Sequence, residues 1–197
     1  KDYWKKKNVV LIFFPYNLDF DGNIQILAFN NRYSEFRALN TEILGIGHDF
    51  CYAKRFNMSV TQKLGGFKGI KFPILSDIWR TISLGYGIIG TNYKTAQHSI
   101  FVIDKFGTIR HAAIYDARIG ANVNEILRIL RAIQYLYRRP LRVCPPQWEP
   151  GRGTGKLGSI YKSDAYFGYL ERLNRRPRPA KYDTYLDKLT RQTKNKK

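Results

Sequence analysis

Residues 9–16 read Val9-Val10-Leu11-Ile12-Phe13-Phe14-Pro15-Tyr16, an unbroken apolar run rich in β-branched and aromatic side chains. A run of this length without polar alternation is the pattern of a strand buried on both faces. Downstream, Ile24, Leu27, Ala28, Phe36 and Leu39 stand near helical spacing, with Asn30 and Asn31 as an interruption. Residues 42–47 predict a second strand ending at His48-Asp49, residues 51–61 a short helix, and residues 72–75 a third strand. A helix is expected over 76–86, opened by Ser76 or Asp77 as its N-cap. Residues 99–104 and 107–115 predict a hairpin turning at Lys105-Phe106-Gly107. Val123, Ile126, Leu127, Leu130, Ile133 and Tyr137 form the longest stretch in helical register, predicting a helix over 122–137. Strand, helix, strand, hairpin and helix in this order describe an α/β fold with a mixed sheet.

The chain has 197 residues, 44% of them hydrophobic, which is enough for a sizeable core. Its charge is lopsided: 34 Lys and Arg against 15 Asp and Glu give +19, and such self-repulsion is relieved by a polyanionic partner. Two cysteines, Cys51 and Cys144, cannot build a disulfide framework. No run of about 18 apolar residues is present, so no membrane-spanning helix is expected. The first residue, Lys1, suggests a processed or partly recorded N-terminus. After Arg138 the composition turns to prolines (140, 145, 146, 150) and glycines, and from Glu171 onward ten basic residues face three acids. The expected organisation is a domain over 1–140, a loop-rich segment over 141–170 and a basic extension over 171–197.

Several stretches, in order, resemble typical two-cysteine peroxiredoxins, whose fold is a thioredoxin-like mixed sheet flanked by helices. They are Asp2-Tyr3, the run from Val9 to Phe14, Leu18-Asp19-Phe20, Ala28-Phe29, Glu35-Phe36, Leu44-Gly45-Ile46, Gly65-Gly66 and Pro73-Ile74-Leu75-Ser76-Asp77. Tyr86-Gly87, Ile100-Phe101-Val102-Ile103-Asp104, Gly107-Thr108-Ile109-Arg110 and Gly120-x-x-Val123 continue the series. Val143-Cys144-Pro145 with Trp148-Glu149-Pro150-Gly151 resembles the family's resolving-cysteine segment, and Tyr166-Phe167 its C-terminal Tyr-Phe. The resemblance spans residues 2–167.

Peroxide reduction needs a thiolate nucleophile. The family presents it in a Pro-x-x-x-Thr-x-x-Cys run after the first strand. Asn17 falls at the proline and Asp21 at the threonine, and no cysteine stands near Ile24. His98 and Ala121 fall where the resemblance places the two family arginines. These five degenerate positions imply a chain without peroxidase activity, in which Cys144 is a relic resolving cysteine. A divergent thiol enzyme using Cys51 or Cys144 is the alternative. The histidines at 48, 98 and 111 lack metal-ligand spacing, and Gly151–Ser159 fails as a phosphate loop because Leu157 replaces the Ser or Thr, so no metal and no cofactor are expected.

The basic blocks then carry the expected function. Lys5, Lys6, Lys7, Arg138, Arg139, Arg142, Arg152, Lys156 and Lys162, with Arg172, Arg175, Arg176, Arg178, Lys181, Lys188, Arg191, Lys194, Lys196 and Lys197, are expected to contact RNA phosphates, with interleaved tyrosines to stack on bases. The expectation is a structural subunit of a ribonucleoprotein, an accessory protein of an organellar ribosome contacting rRNA. The expected location is mitochondrial, with plastid or cytoplasm as alternatives, and a homodimer is not expected. A scaffold in a non-RNA complex is the further alternative.

Overall fold

The structure is a computed structural model and describes residues 2–14, 20–89, 96–116 and 118–156. Five strands form one sheet in the order β3-β2-β1-β4-β5: β1 (Asn8–Phe14), β2 (Thr41–Gly47), β3 (Ile74–Ser76), β4 (Ser99–Ile103) and β5 (Ile109–Ile114). β1 runs parallel to β2 and β2 parallel to β3, while β4 is antiparallel to β1 and to β5. The apolar run is therefore the central strand, as its continuity requires. Its alternate side chains divide between two cores, because successive residues of a strand face opposite ways. Val10, Ile12 and Phe14 join Ile26, Phe29, Phe36, Ile126, Leu127 and Leu130 on one side. Leu11 and Phe13 join Ile46, Ile88, Ala96 and Phe101 on the other. Phe13 and Phe14 are 0% and 1% exposed, and full burial of such a ring contributes about 1.5–3 kcal/mol.

The helices on the first face are α1 (Phe20–Asn31), α2 (Tyr33–Ala38) and α5 (Val123–Arg138). The expected interruption near Asn30 is real, and its cause is polar. The Asn30 amide donates to the Gly69 carbonyl (3.3 Å) and its Oδ1 accepts from the Lys71 N–H (2.9 Å), so the side chain holds a neighbouring loop. The chain breaks at Arg32, which precedes α2 and ion-pairs with Glu35.

Two further expectations are corrected. β3 lies at Ile74–Ser76, a little beyond residues 72–75, because Ser76 pairs with Gly47 at the end of β2. The helix expected over 76–86 shortens to α4 (Thr81–Gly85). Arg80 before it takes a left-handed backbone with φ 57°, a conformation that stops helix from running back toward Ser76. Asp77 still caps it, from outside the helix: its carboxylate accepts the N–H groups of Ile82 (3.1 Å) and Ser83 (2.8 Å). The hairpin turn closes at Gly107, whose φ of 85° favours glycine.

The described residues fall into two compact units, one of residues 2–138 and 149–151, the other of 139–148 and 152–156. The second holds a two-stranded ladder, β6 (Arg142–Val143) against β7 (Gly155–Lys156), with Trp148 buried. Among the described residues no helix is long and apolar enough to cross a membrane.

Candidate functional site

Parallel pairing aligns Phe14, Gly47 and Ser76 in one row at the C-terminal ends of β1, β2 and β3. Open α/β sheets place their reactive loops beyond such a row. Beyond β2 the chain runs Gly47-His48-Asp49-Phe50 and enters α3 (Cys51–Ser59), so Cys51 is the first helical residue. Its thiol is exposed, and so are Phe50 and Tyr52 on either side. No side chain caps this helix. First-turn N–H groups of a helix carry partial positive charge, and helix N-termini and nearby cations favour the reactive thiolate form of cysteine.

Lys54 stands one turn on, at the i,i+3 position that faces a helical neighbour. It is 3% exposed, and its ammonium donates to the Gly47 carbonyl (2.6 Å) and to the Leu75 carbonyl. Burial pulls its pKa down to about 8, while the charges of Asp49, Asp77 and Cys51 act in the opposite direction. Gly47 fits between these groups because any Cβ there would lie 2.6 Å from the Phe14 ring. Behind Lys54 sits a buried polar cluster. His48 Nε2 lies 3.1 Å from Ser83 Oγ, and that hydroxyl donates to Asp77 Oδ2 at 2.7 Å. Burial, followed by nearby Arg80, lowers the His48 pKa. Burial would raise the Asp77 carboxyl, but hydrogen bonds from Ser83 and Ile82 outweigh it and hold the group below the usual carboxylate range. The result is an open thiol on a polar, cation-bearing base.

The positions singled out as degenerate separate into two sets. Ile24, His98 and Ala121 come together around a cavity of about 190 Å³ together with Gln25, Ala28, Arg118, Ile119 and Gly120. Asn17 lies outside the described residues, and Asp21 is in α1 with its side chain undescribed. Cys51 belongs to a different element from the residues of that cavity. Cys144 is half-buried in the second unit. Among the described residues no cluster of three or more His, Cys, Asp or Glu could hold a metal.

Of the basic residues expected to contact RNA, eight fall among the described residues: Lys5, Lys6, Lys7, Arg138, Arg139, Arg142, Arg152 and Lys156. Lys5 lies over the Trp4 ring, Lys6 is exposed, and Lys7 is committed to an ion pair with Glu42 at 3.0 Å. Arg138, Arg139 and Arg152 are exposed, while Arg142 reaches the Thr154 carbonyl at 3.5 Å. Lys156 is in β7. Lys162 and the basic residues from Arg172 to Lys197 lie outside the described residues. Sequence reasoning missed Lys54 altogether, although the helix expected over 51–61 already put Cys51 at its start. The available signal was a lysine three residues after a cysteine in a short helical stretch.

Residues 1–112 match the AhpC/TSA family. The chain is 37% identical over 155 residues to the chloroplastic 2-Cys peroxiredoxin BAS1 of Arabidopsis thaliana, covering 79% of this chain and 58% of that protein's length. It is 38% identical over 166 residues to the chloroplastic 2-cysteine peroxiredoxin of Chattonella marina var. antiqua, covering 84% of both. The reduced 2-Cys peroxiredoxin of Plasmodium vivax superposes with a TM-score of 0.74 at 31% identity, covering 78% of each chain.

These findings correct four expectations. Relatives at this identity are named 2-Cys peroxiredoxins, so the non-enzymatic reading is overturned. A cysteine missing near Ile24 does not remove thiol chemistry from a chain that exposes Cys51 at a helix N-terminus. The ribosomal, RNA-contacting role falls with it, since net charge favours polyanions in general and names no partner. The expectation against a homodimer rested on lodging in such an assembly and loses its ground. The mitochondrial location is unsupported, whereas the plastid alternative agrees with the chloroplastic relatives. The fold, the ordered motifs and the matched sequences agree, and the chain belongs to the AhpC/TSA family as a relative of the 2-Cys peroxiredoxins.

Proposed function

We propose that this protein is a thiol-dependent redox protein that reduces hydroperoxides through Cys51. The observation that carries the reading is the exposed Cys51 thiol at the start of α3, with the Lys54 ammonium one turn further along. The Cys51 thiolate attacks one peroxide oxygen, the O–O bond breaks, and the other oxygen leaves as an alcohol or water after taking up a proton. Cys51 becomes a sulfenic acid. A second thiol then condenses with it, releasing water and forming a disulfide, and an external dithiol restores both cysteines. Cys144 is the second thiol available within the chain.

Consumption of hydrogen peroxide in the presence of a dithiol reductant tests this with wild type, Cys51→Ser, Cys144→Ser and the double variant. Loss of turnover in Cys51→Ser, with retained sulfenic acid formation in Cys144→Ser, is expected. A double variant that consumes peroxide as fast as wild type would refute the proposal.

We also infer a plastid location, supported by the chloroplastic relatives from Arabidopsis and Chattonella. Fractionation of the source cells tests it, and recovery of the protein outside the plastid fraction would count against it. Self-association through β5 is the assembly the fold favours. β5 ends the sheet order and carries exposed Ile109 and Ile114, and an edge strand offers unpaired backbone groups to another copy.

A further inference from the structure

The end of the sheet opposite the row of Phe14, Gly47 and Ser76 carries a second concave surface. Asn8 opens β1, Asn40 immediately precedes β2, and Lys105 follows β4, which runs antiparallel to β1, so the three gather at one end of the strands. Together with Gln134, Tyr137 and Arg138 of α5 they line a cleft of about 430 Å³. That volume lies within the range of about 300–1,000 Å³ typical of small-molecule sites. The lining is tied together by hydrogen bonds. The Lys105 N–H donates to Asn8 Oδ1 (3.1 Å), the Lys5 N–H to the Lys105 carbonyl (2.6 Å) and Asn40 Nδ2 to the Lys6 carbonyl (2.8 Å). Lys5 and Asn40 both hold left-handed backbone, with φ of 61° and 46°. Residues other than glycine adopt it infrequently, and such conformations gather at ligand sites.

The charge of this cleft is unbalanced. Elsewhere in the same unit Lys7, Arg32, Arg110, Arg118, Arg128 and Arg131 each pair with a carboxylate. Among the described residues Lys105 and Arg138 have no carboxylate partner, and no acidic residue lines the cleft. Lys105 lies instead over the Phe106 and Tyr137 rings, 5.0 and 5.6 Å from their centroids. The neighbouring Asp104 carboxylate is buried and already taken by Phe106, Thr108 and Arg110. Arg138 stands in the last turn of α5, where the helix carbonyls favour a cation, but Lys105 ends no helix, so an excess of positive charge remains. The amides complement it. Asn40 and Gln134 spend their nitrogens on the Lys6 and Leu39 carbonyls, which leaves their oxygens as acceptors. Asn8 spends its oxygen on the Lys105 N–H, which leaves its nitrogen as a donor.

We propose that this cleft binds a small sugar phosphate, without covalent chemistry and independently of Cys51. The phosphate lies against the Lys105 ammonium and the Arg138 guanidinium, the first a point charge and the second a planar fork matched to its oxygens. The sugar hydroxyls donate to Asn40 Oδ1 and Gln134 Oε1 and accept from Asn8 Nδ2. Two cations alone would suit any anion, and a net charge of +19 attracts anions everywhere on the surface. The amide oxygens beside these cations are what select an anion that also carries hydroxyl donors.

Ribose 5-phosphate is the probe, with ribose and inorganic phosphate as its two halves, each titrated into the isotope-labelled, reduced full chain and followed by amide chemical shifts. Saturable shifts with ribose 5-phosphate are expected at residues 8, 38–40, 105 and 134–138, and none with ribose. Lys105→Gln and Arg138→Gln are each expected to weaken binding about tenfold, the effect of losing one hydrogen bond to a charged group. Lys63→Gln removes the same charge from an exposed position after α3 and is expected to leave the affinity unchanged. Asn40→Gly, which left-handed backbone accommodates, is expected to weaken ribose 5-phosphate several-fold and to leave inorganic phosphate unaffected. Scattered or unsaturable shifts, equal affinity for ribose, or a loss in Lys63→Gln as large as in Lys105→Gln would each overturn the proposal. So would an Asn40→Gly variant that binds ribose 5-phosphate as tightly as wild type.

Discussion

Lys54→Met tests the buried amine on which the Cys51 site stands. In the folded protein Lys54 titrates at about 8, against an ordinary 10.5, because burial disfavours its charged form. Between those two values the unfolded chain still holds the proton and the folded chain has released it. Stability must therefore rise with pH across that window. A displacement from 10.5 to about 8 corresponds to about 3 kcal/mol at 1.36 kcal/mol per pH unit. At neutral pH the methionine variant loses two charged hydrogen bonds, to the Gly47 and Leu75 carbonyls, and escapes the cost of a buried ammonium. These oppose each other, so its stability should lie within about 2 kcal/mol of wild type there. Above about pH 10 it should trail wild type by about 3 kcal/mol more than it does near neutrality. Urea unfolding of both proteins over that range, with the cysteines kept reduced, measures the difference, and groups common to the two chains cancel. A wild-type-minus-variant difference that stays flat between about pH 7 and pH 10 would refute the reasoning.

Three other outcomes follow from the same geometry. In the native, reduced protein iodoacetamide should alkylate Cys51 faster than Cys144, because Cys51 is exposed and Cys144 half-buried; peptide mass mapping over time measures the two rates, and equal rates would contradict it. Asp104→Asn should destabilise by about 2 kcal/mol, because the carboxylate takes N–H groups from Phe106 and Thr108 and the guanidinium of a half-exposed Arg110. Hydrogen bonds from Tyr137, Thr108 and Arg110 outweigh burial and hold Asp104 below its ordinary pKa, so its contribution is complete above the unfolded value and fades in acid as pH falls through the folded one; acid titration of Tm in both proteins checks this. Gly47→Ala should cost about 1–3 kcal/mol in urea unfolding, since its Cβ would meet the Phe14 ring at 2.6 Å.

What the sequence determined is the part governed by local pattern. The continuous, β-branched and aromatic run from Val9 to Phe14 pointed to a strand covered on both faces, and the 3.6-residue spacing of Ile126, Leu127 and Leu130 to a helix with one apolar face. The ordered motifs carried the family. Net charge was equally legible, but it decided nothing about a partner, because charge has no geometry until a fold arranges it. The reactive thiol was a matter for tertiary structure. Cys51 owes its setting to the register that aligns Phe14, Gly47 and Ser76, which sets α3 at the sheet's edge and supplies two carbonyls from different strands to Lys54. Likewise, Ile24, His98 and Ala121 were picked out one by one as losses, and only folding shows that they border a single cavity. Periodicity reports how each segment meets its nearest layer. Which polar groups from distant segments converge depends on how strands pair and where loops cross, and those contacts leave no local pattern in the chain.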